Sequence, residues 1–176
     1  MGTALREITK IILLALIIFL VVSITLGSFR VDGESMEPSL QDGEYILVNK
    51  IAYSFHPPQR GDIIVFDSPS NPGRDFIKRV IAIPGDTVEI RDGQVYINGE
   101  AIDEPYISEP PEYTYPLTQV EEDEYFVLGD NRNHSSDSHI WGMVPRENIV
   151  GWARICYWPL SEWGLVPNHP LAVGSD

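Results

Sequence analysis

The chain has 176 residues, 26 acidic and 12 basic, with a formal net charge of -14. That length holds one compact domain, or a domain with a small appendage. The acidic balance leaves no basic stripe for phosphates and argues against a general nucleic-acid binder. It also disfavours electrostatic adhesion to anionic lipid, so any membrane attachment should be hydrophobic. Cys156 is the only cysteine, which rules out a disulfide within the chain. His56, His134, His139 and His169 lack the close His/Cys pairing of a zinc site. No metal and no cofactor are expected.

From Ile11 to Leu26 only Ser23 and Thr25 interrupt an apolar run. With Ile8 and Ser28 at its edges, residues 8–28 could cross a hydrocarbon core of about 30 Å as one helix. Arg6 and Lys10 lie at the amino end, so residues 1–7 should stay cytoplasmic and the rest should lie beyond the membrane. The competing reading is a cleaved secretory signal, for which Thr25 and Gly27 offer small residues two apart. The run exceeds the usual signal core of roughly 7–15 residues, and no proline or polar spacer precedes those small residues. An uncleaved anchor is the better reading.

After Arg30 the pattern becomes that of β structure. Tyr45 to Asn49, Asp62 to Phe66, Phe76 to Ile83 and Thr87 to Ile90 are short β-rich runs, as are Gln94 to Ile97, Tyr125 to Leu128 and Ile149 to Trp158. Turn signals separate them, and Asp92-Gly93 between two alternating runs predicts a hairpin. Residues 29–166 therefore read as a mostly β, antiparallel domain, barrel-like or sandwich-like. Residues 103–124, rich in Glu, Pro and Tyr, read as an irregular excursion. Residues 167–176 read as a tail. The aromatic group Trp152, Tyr157, Trp158 and Trp163 suits either a membrane interface or a sheet core, and the core is the reading adopted. Cys156 should be buried and inert.

Three segments could carry chemistry. Gly33-Glu34-Ser35-Met36-Glu37-Pro38-Ser39-Leu40 places a serine after a glycine-bearing turn, with Pro38 restricting the backbone. On a strand over 76–83, Lys78 shares a face with Phe76, Val80 and Ala82 while Arg79 points the other way. Burial disfavours an ammonium, which is how a lysine becomes a general base; a lysine snorkelling at a sheet rim is the plainer alternative. Gly129 to His139 forms a dense polar loop directly after an apolar strand, where sites commonly sit. It could equally be a turn held by side chain to backbone bonds.

Together, in this order behind an apolar segment, these motifs resemble those of the bacterial type I signal peptidase family. Ser35-Met36-Glu37-Pro38-Ser39-Leu40 matches its nucleophile motif, and Lys78-Arg79-Val80-Ile81-Ala82-Ile83-Pro84-Gly85-Asp86 its lysine motif. Gly129-Asp130-Asn131-Arg132 through Ser135, Asp137 and Ser138 to Trp141-Gly142 matches its polar box, and Arg60-Gly61-Asp62 to Phe66 also fits. The resemblance implies a Ser-Lys dyad, with Ser35 as nucleophile and Lys78 as base. Ser135 corresponds to a serine orienting the lysine, and Asp137 and Asp130 to supporting carboxylates. It implies exported preproteins with small residues at positions -1 and -3 as substrates, and wall residues Val31, Met36, Leu40, Phe76 and Ile77. It also implies a single-pass protein of the bacterial cytoplasmic membrane with its catalytic domain outside.

Two departures stand out. Some members carry a serine at the position of Gly33, so here backbone N–H groups, that of Ser35 first, would serve the oxyanion. Members often have arginine where this chain has His139 beside Asp137, so activity should fall above roughly pH 7 if the charged form is needed. Three alternatives remain at this stage: a Ser-His-Asp set using His134 or His139, a Ser-Lys peptidase with another task, and a non-catalytic tethered β domain.

Overall fold

The computed structural model describes residues 2–171, with side chains from residue 6. Helix α1 (Gly2–Thr25) takes in the apolar run. Over Arg6–Thr25 it is long and apolar enough to cross a membrane. Its two late hydroxyls turn back onto the helix, Ser23 Oγ donating to Phe19 O and Thr25 Oγ1 to Val21 O, both at 2.8 Å. Such back-bonding satisfies polar groups where water is absent. The helix ends earlier than residue 28: Leu26–Arg30 is strand β1, paired with β2 (Tyr45–Asn49) from Leu26 against Asn49 to Arg30 against Tyr45. Hydropathy alone could not place that boundary, because Leu26 is as apolar as the residues before it.

The remaining strands in chain order are β3 (Ile63–Asp67), β4 (Asp75–Ala82), β5 (Thr87–Arg91), β6 (Gln94–Ile97) and β7 (Glu100–Ala101). They are followed by β8 (Tyr115–Gln119), β9 (Glu124–Leu128), β10 (Val144–Pro145), β11 (Ile149–Trp158) and β12 (Gly164–Leu165). A short helix, α2 (Ser138–Trp141), lies between β9 and β10. An eight-stranded sheet runs β1-β2-β11-β3-β4-β9-β10, with β12 on β11, and a four-stranded sheet runs β7-β6-β5-β8. Every pairing is antiparallel, as the turn-punctuated sequence predicts.

The hairpin at Asp92-Gly93 forms between β5 and β6, with positive φ at both turn residues, +50° and +74°. That is the geometry an Asp-Gly pair favours. Residues 103–124 are not wholly irregular: β8 lies within them and pairs with β5. β8 is an edge strand with little alternation in burial and a proline at position 116, so its sequence lacks a strand signature.

β11 is the spine of the large sheet, pairing with β2 on one side and β3 on the other, and register shifts at Ala153/Ile155 and Cys156/Trp158 bend it. Gly151 is required there, since a Cβ would stand 2.5 Å from Asn49 O. In β4 a register shift between Val80 and Ala82 breaks the alternation, so Ile81 and Ala82 pack into one apolar cluster while Ile83 joins Phe76 and Val80 in another. Cys156 is buried as expected. Trp158 and Trp163 are not in the core; they are 53% and 65% exposed. Of the tail, residues 172–176 lie outside the described residues. Asn168 is tied in: its Oδ1 accepts from Ile63 N at 2.7 Å and Trp152 Nε1 at 3.0 Å, and its Nδ2 donates to Ala153 O.

Candidate active site

Ser35 sits in the turn after β1, half-buried, and Lys78 on β4 is 4% exposed. They meet: Lys78 Nζ lies 2.7 Å from Ser35 Oγ and also donates to Ile77 O at 2.9 Å. Burial draws the Lys78 amine down from the ordinary lysine range to about 8, and the negative charges of Asp137 and Asp130 oppose part of that fall. A serine hydroxyl therefore faces an amine that can lose its proton near neutral pH.

The polar loop after β9 fixes the serine turn from below. Asn131 N donates to Ser35 O at 3.1 Å, and Asn131 Nδ2 donates to Glu34 O at 3.2 Å. Gly129 permits the approach, because a Cβ there would stand 2.4 Å from Ser35 O and 2.2 Å from Ser135 Oγ. Among the described residues, no backbone carbonyl accepts from the Ser35 N–H. Ser135 is buried beside this point, yet among the described residues its Oγ has no hydrogen-bond partner, so the expected bond to Lys78 is not made in this structure. Asp137, fully buried, caps α2 and accepts from Gly129 N at 2.9 Å and from His139 Nδ1 at 2.6 Å. The ring of Tyr113 stacks on His139 at 3.8 Å.

Asp130 is also fully buried, paired with a fully buried Arg79 through Nε at 2.8 Å and Nη2 at 2.6 Å. The other Arg79 donors reach Gly61 O, Pro167 O and Ser39 Oγ, so all five N–H groups have acceptors. Its Cζ stands 4.0 Å from the Tyr106 ring centre. Farther along, Arg132 makes a bidentate pair with Glu104 at 2.7 Å in both contacts. Arg79, Ser39, Glu104, Tyr106 and Tyr113 were not singled out from sequence. Arg79 had a usable signal, since it directly follows Lys78 inside a matched motif; the partners from the excursion had none.

A cleft of about 260 Å³ opens beside Ser35 and Lys78, floored by Val31, Ile46, Val65 and Ile77. Of the expected wall residues, Val31, Phe76 and Ile77 line it. Met36 and Leu40 do not: they are 0% and 2% exposed and pack in the core behind the serine turn. In a turn preceded by an exposed Glu34 and followed by an exposed Pro38, these apolar side chains are the anchors. Neither His134 nor His139 hydrogen-bonds to Ser35; His134 Nδ1 lies by Asn131 and His139 Nδ1 by Asp137.

A serine set against a buried lysine in a cleft of an antiparallel β fold has the make-up of a peptidase. Residues 5–158 match the family described as signal peptidase, peptidase S26, and the chain belongs to that family. It is 44% identical over 167 residues to the probable signal peptidase I-1 of Synechocystis sp., covering 90% of this chain and 85% of the relative. It is 34% identical to signal peptidase IB of Staphylococcus aureus, covering 90% and 92%. A signal peptidase I structure from Enterococcus faecalis aligns at 41% identity with a TM-score of 0.45, covering 54% of this chain and 95% of that one. By the family match and these two relatives, the chain is a peptidase of the signal peptidase I type.

Proposed function

We propose that this chain is a membrane-anchored serine endopeptidase that removes N-terminal signal peptides from exported preproteins, with Ser35 as nucleophile and Lys78 as general base. The observation that carries this is the 2.7 Å contact between Ser35 Oγ and the nearly fully buried Lys78 Nζ. Neutral Lys78 takes the hydroxyl proton as Ser35 Oγ attacks the scissile carbonyl. The Ser35 N–H faces the developing oxyanion. The resulting ammonium is stabilised by Asp137 and Asp130, and it returns the proton to the leaving amine. Ser135 Oγ, buried and without a partner among the described residues, would accept from that ammonium. Water then hydrolyses the acyl-enzyme by the same proton path.

Substrate binding follows from the sheet. β9 pairs with β4 only from Arg79 onward, so residues 75–78 present an unpaired edge beside the cleft. β1 likewise pairs on one side only, with β2. An extended peptide can add as a strand between these edges, its small side chains entering the apolar floor. Helix α1 would hold the domain at the bilayer, with Arg6 and Lys10 keeping its amino end cytoplasmic. Exposed Trp158, Leu160, Trp163 and Leu165 give the large sheet an apolar rim suited to lipid. In a bacterium the peptidase domain, from β1 to the tail, would lie on the outer face of the cytoplasmic membrane. Nucleic acid and metal have no part in this reading.

The test is cleavage of a preprotein with an Ala-x-Ala junction by the detergent-solubilised chain. Ser35→Ala and Lys78→Met should each lose at least about a thousandfold in kcat/KM while staying folded. Because the neutral amine is the active form, kcat/KM should climb about tenfold per pH unit below pH 8 and level off above it. Retained cleavage in Lys78→Met would move the base elsewhere.

A further inference from the structure

The cleft that holds Ser35 and Lys78 is also lined by Asp32 and Arg74. Its two walls are the segment leading out of β1 and the segment leading into β4. Arg74 Nη2 donates to Asp32 Oδ2 across the gap at 2.9 Å. Both backbones are fixed. Val31 N bonds to Glu44 O at 2.7 Å and Gly33 N to Asp42 Oδ1 at 2.9 Å on one side. Opposite, Ser68 N bonds to Arg74 O at 3.0 Å and Arg74 N to Asn71 O at 3.2 Å. The bridging side chains are 60% and 71% exposed. Rigid posts thus carry a loose tie, and such an exposed pair is worth about 0–1 kcal/mol. An incoming peptide can open it.

The pair's position along the substrate follows from strand geometry. Arg74 precedes Lys78 by 78 − 74 = 4 residues of nearly extended chain, which is roughly 13 Å. On the function proposed above, the apolar floor receives the residues before the cut. A peptide lying along the open edge of 75–78 then brings its fourth and fifth residues before the scissile bond beside Asp32 and Arg74. Arg30 and Asp75 complete this rim, so its four charges cancel.

We propose that the Asp32–Arg74 pair sets charge selectivity at the fourth and fifth substrate residues before the cut, favouring uncharged side chains there. A substrate carboxylate that takes Arg74 leaves Asp32 unpaired on the same rim as Asp75. A substrate ammonium that takes Asp32 strands Arg74. Either charge exchanges one pair for another and adds its own desolvation, whereas a neutral side chain leaves the tie intact.

The experiment compares kcat/KM for three otherwise identical Ala-x-Ala peptides carrying Gln, Glu or Lys at those positions. In the wild type the Gln peptide should lead. Asp32→Asn should raise the Glu-to-Gln ratio three- to tenfold, mainly through KM, and Arg74→Gln should do the same for Lys-to-Gln. The swapped double variant, Asp32→Arg with Arg74→Asp, should restore the wild-type order. Each ratio is taken within one protein, so partial misfolding cancels. Ratios unchanged across all four proteins, with the Gln peptide cleaved, would overturn the selectivity proposal and leave the peptidase reading standing. If the wild type cleaves none of the peptides and no preprotein, the peptidase reading fails and takes this inference with it.

Discussion

Both sheets bury apolar side chains, but they differ in the charge buried with them. The strands of the four-stranded sheet bury apolar side chains, Val88, Ile90, Val95 and Ile97, while the one carboxylate turned inward nearby, Glu104 on the excursion, pairs with Arg132. The large sheet and its loops bury Lys78, Arg79, Asp130, Arg132 and Asp137, each at most 4% exposed. Desolvating charges is costly, and a buried ion pair is weak evidence of stability gained. The contrast therefore separates labour: the small sheet supplies a dry support, and the large sheet spends stability to hold a perturbed lysine against a serine. Its anchoring pair is Arg79–Asp130, on the residue beside Lys78 and on the loop that grips the serine turn.

The sharpest way to break this comparison is to remove half of that pair. Arg79→Leu or Asp130→Leu leaves a buried charge unpaired and should destabilise by about 3–5 kcal/mol. The double variant should cost less than the sum of the singles. Urea midpoints of the detergent-solubilised proteins measure this. A single variant as stable as wild type would mean that the pair does not organise the site. Next comes Ile90→Ala in the small sheet, where Ile90 is fully buried. It should cost about 2–4 kcal/mol through the cavity it leaves. The kcat/KM of the folded fraction should stay within about twofold of wild type. A large drop in that value would show that the support is coupled to the chemistry.

The same division explains what could be read from sequence. Local turn chemistry announces the small sheet, with Asp92-Gly93 and Asn98-Gly99 giving β5, β6 and β7 their connections. The large sheet depends on partners far apart in the chain, such as β2 with β11, and no local pattern predicts those. Ser35, Lys78, Asp130 and Asp137 were legible because each lies in a motif. Met36 and Leu40 share the serine's motif but serve as its core anchors, and an apolar residue beside a nucleophile looks alike in both roles. Tyr106 and Glu104 were invisible for another reason. They come from an excursion without period, and only the fold brings them to Arg79 and Arg132. The exposure of Trp158 and Trp163 ran against composition, since large aromatics are core residues unless something else covers them.

His139 carries the smallest and most specific expectation. It holds Asp137 through Nδ1 at 2.6 Å, under the stacked ring of Tyr113, and Asp137 is the stronger of the two carboxylates keeping the Lys78 proton on. A charged imidazole offsets Asp137 and so favours the neutral, active lysine. Beside a neutral imidazole, Asp137 acts on Lys78 with its charge uncompensated. The lysine then holds its proton to higher pH. A guanidinium keeps its charge throughout. His139→Arg should therefore raise kcat/KM two- to threefold on the rising limb below pH 8, with the midpoint of that limb displaced downward. The other ionisable groups facing this pair, Tyr113 on the stacked side and Arg132 with Glu104 beyond it, are unchanged by the substitution. Superimposable pH profiles would instead confine His139 to a structural hydrogen bond that either residue can make.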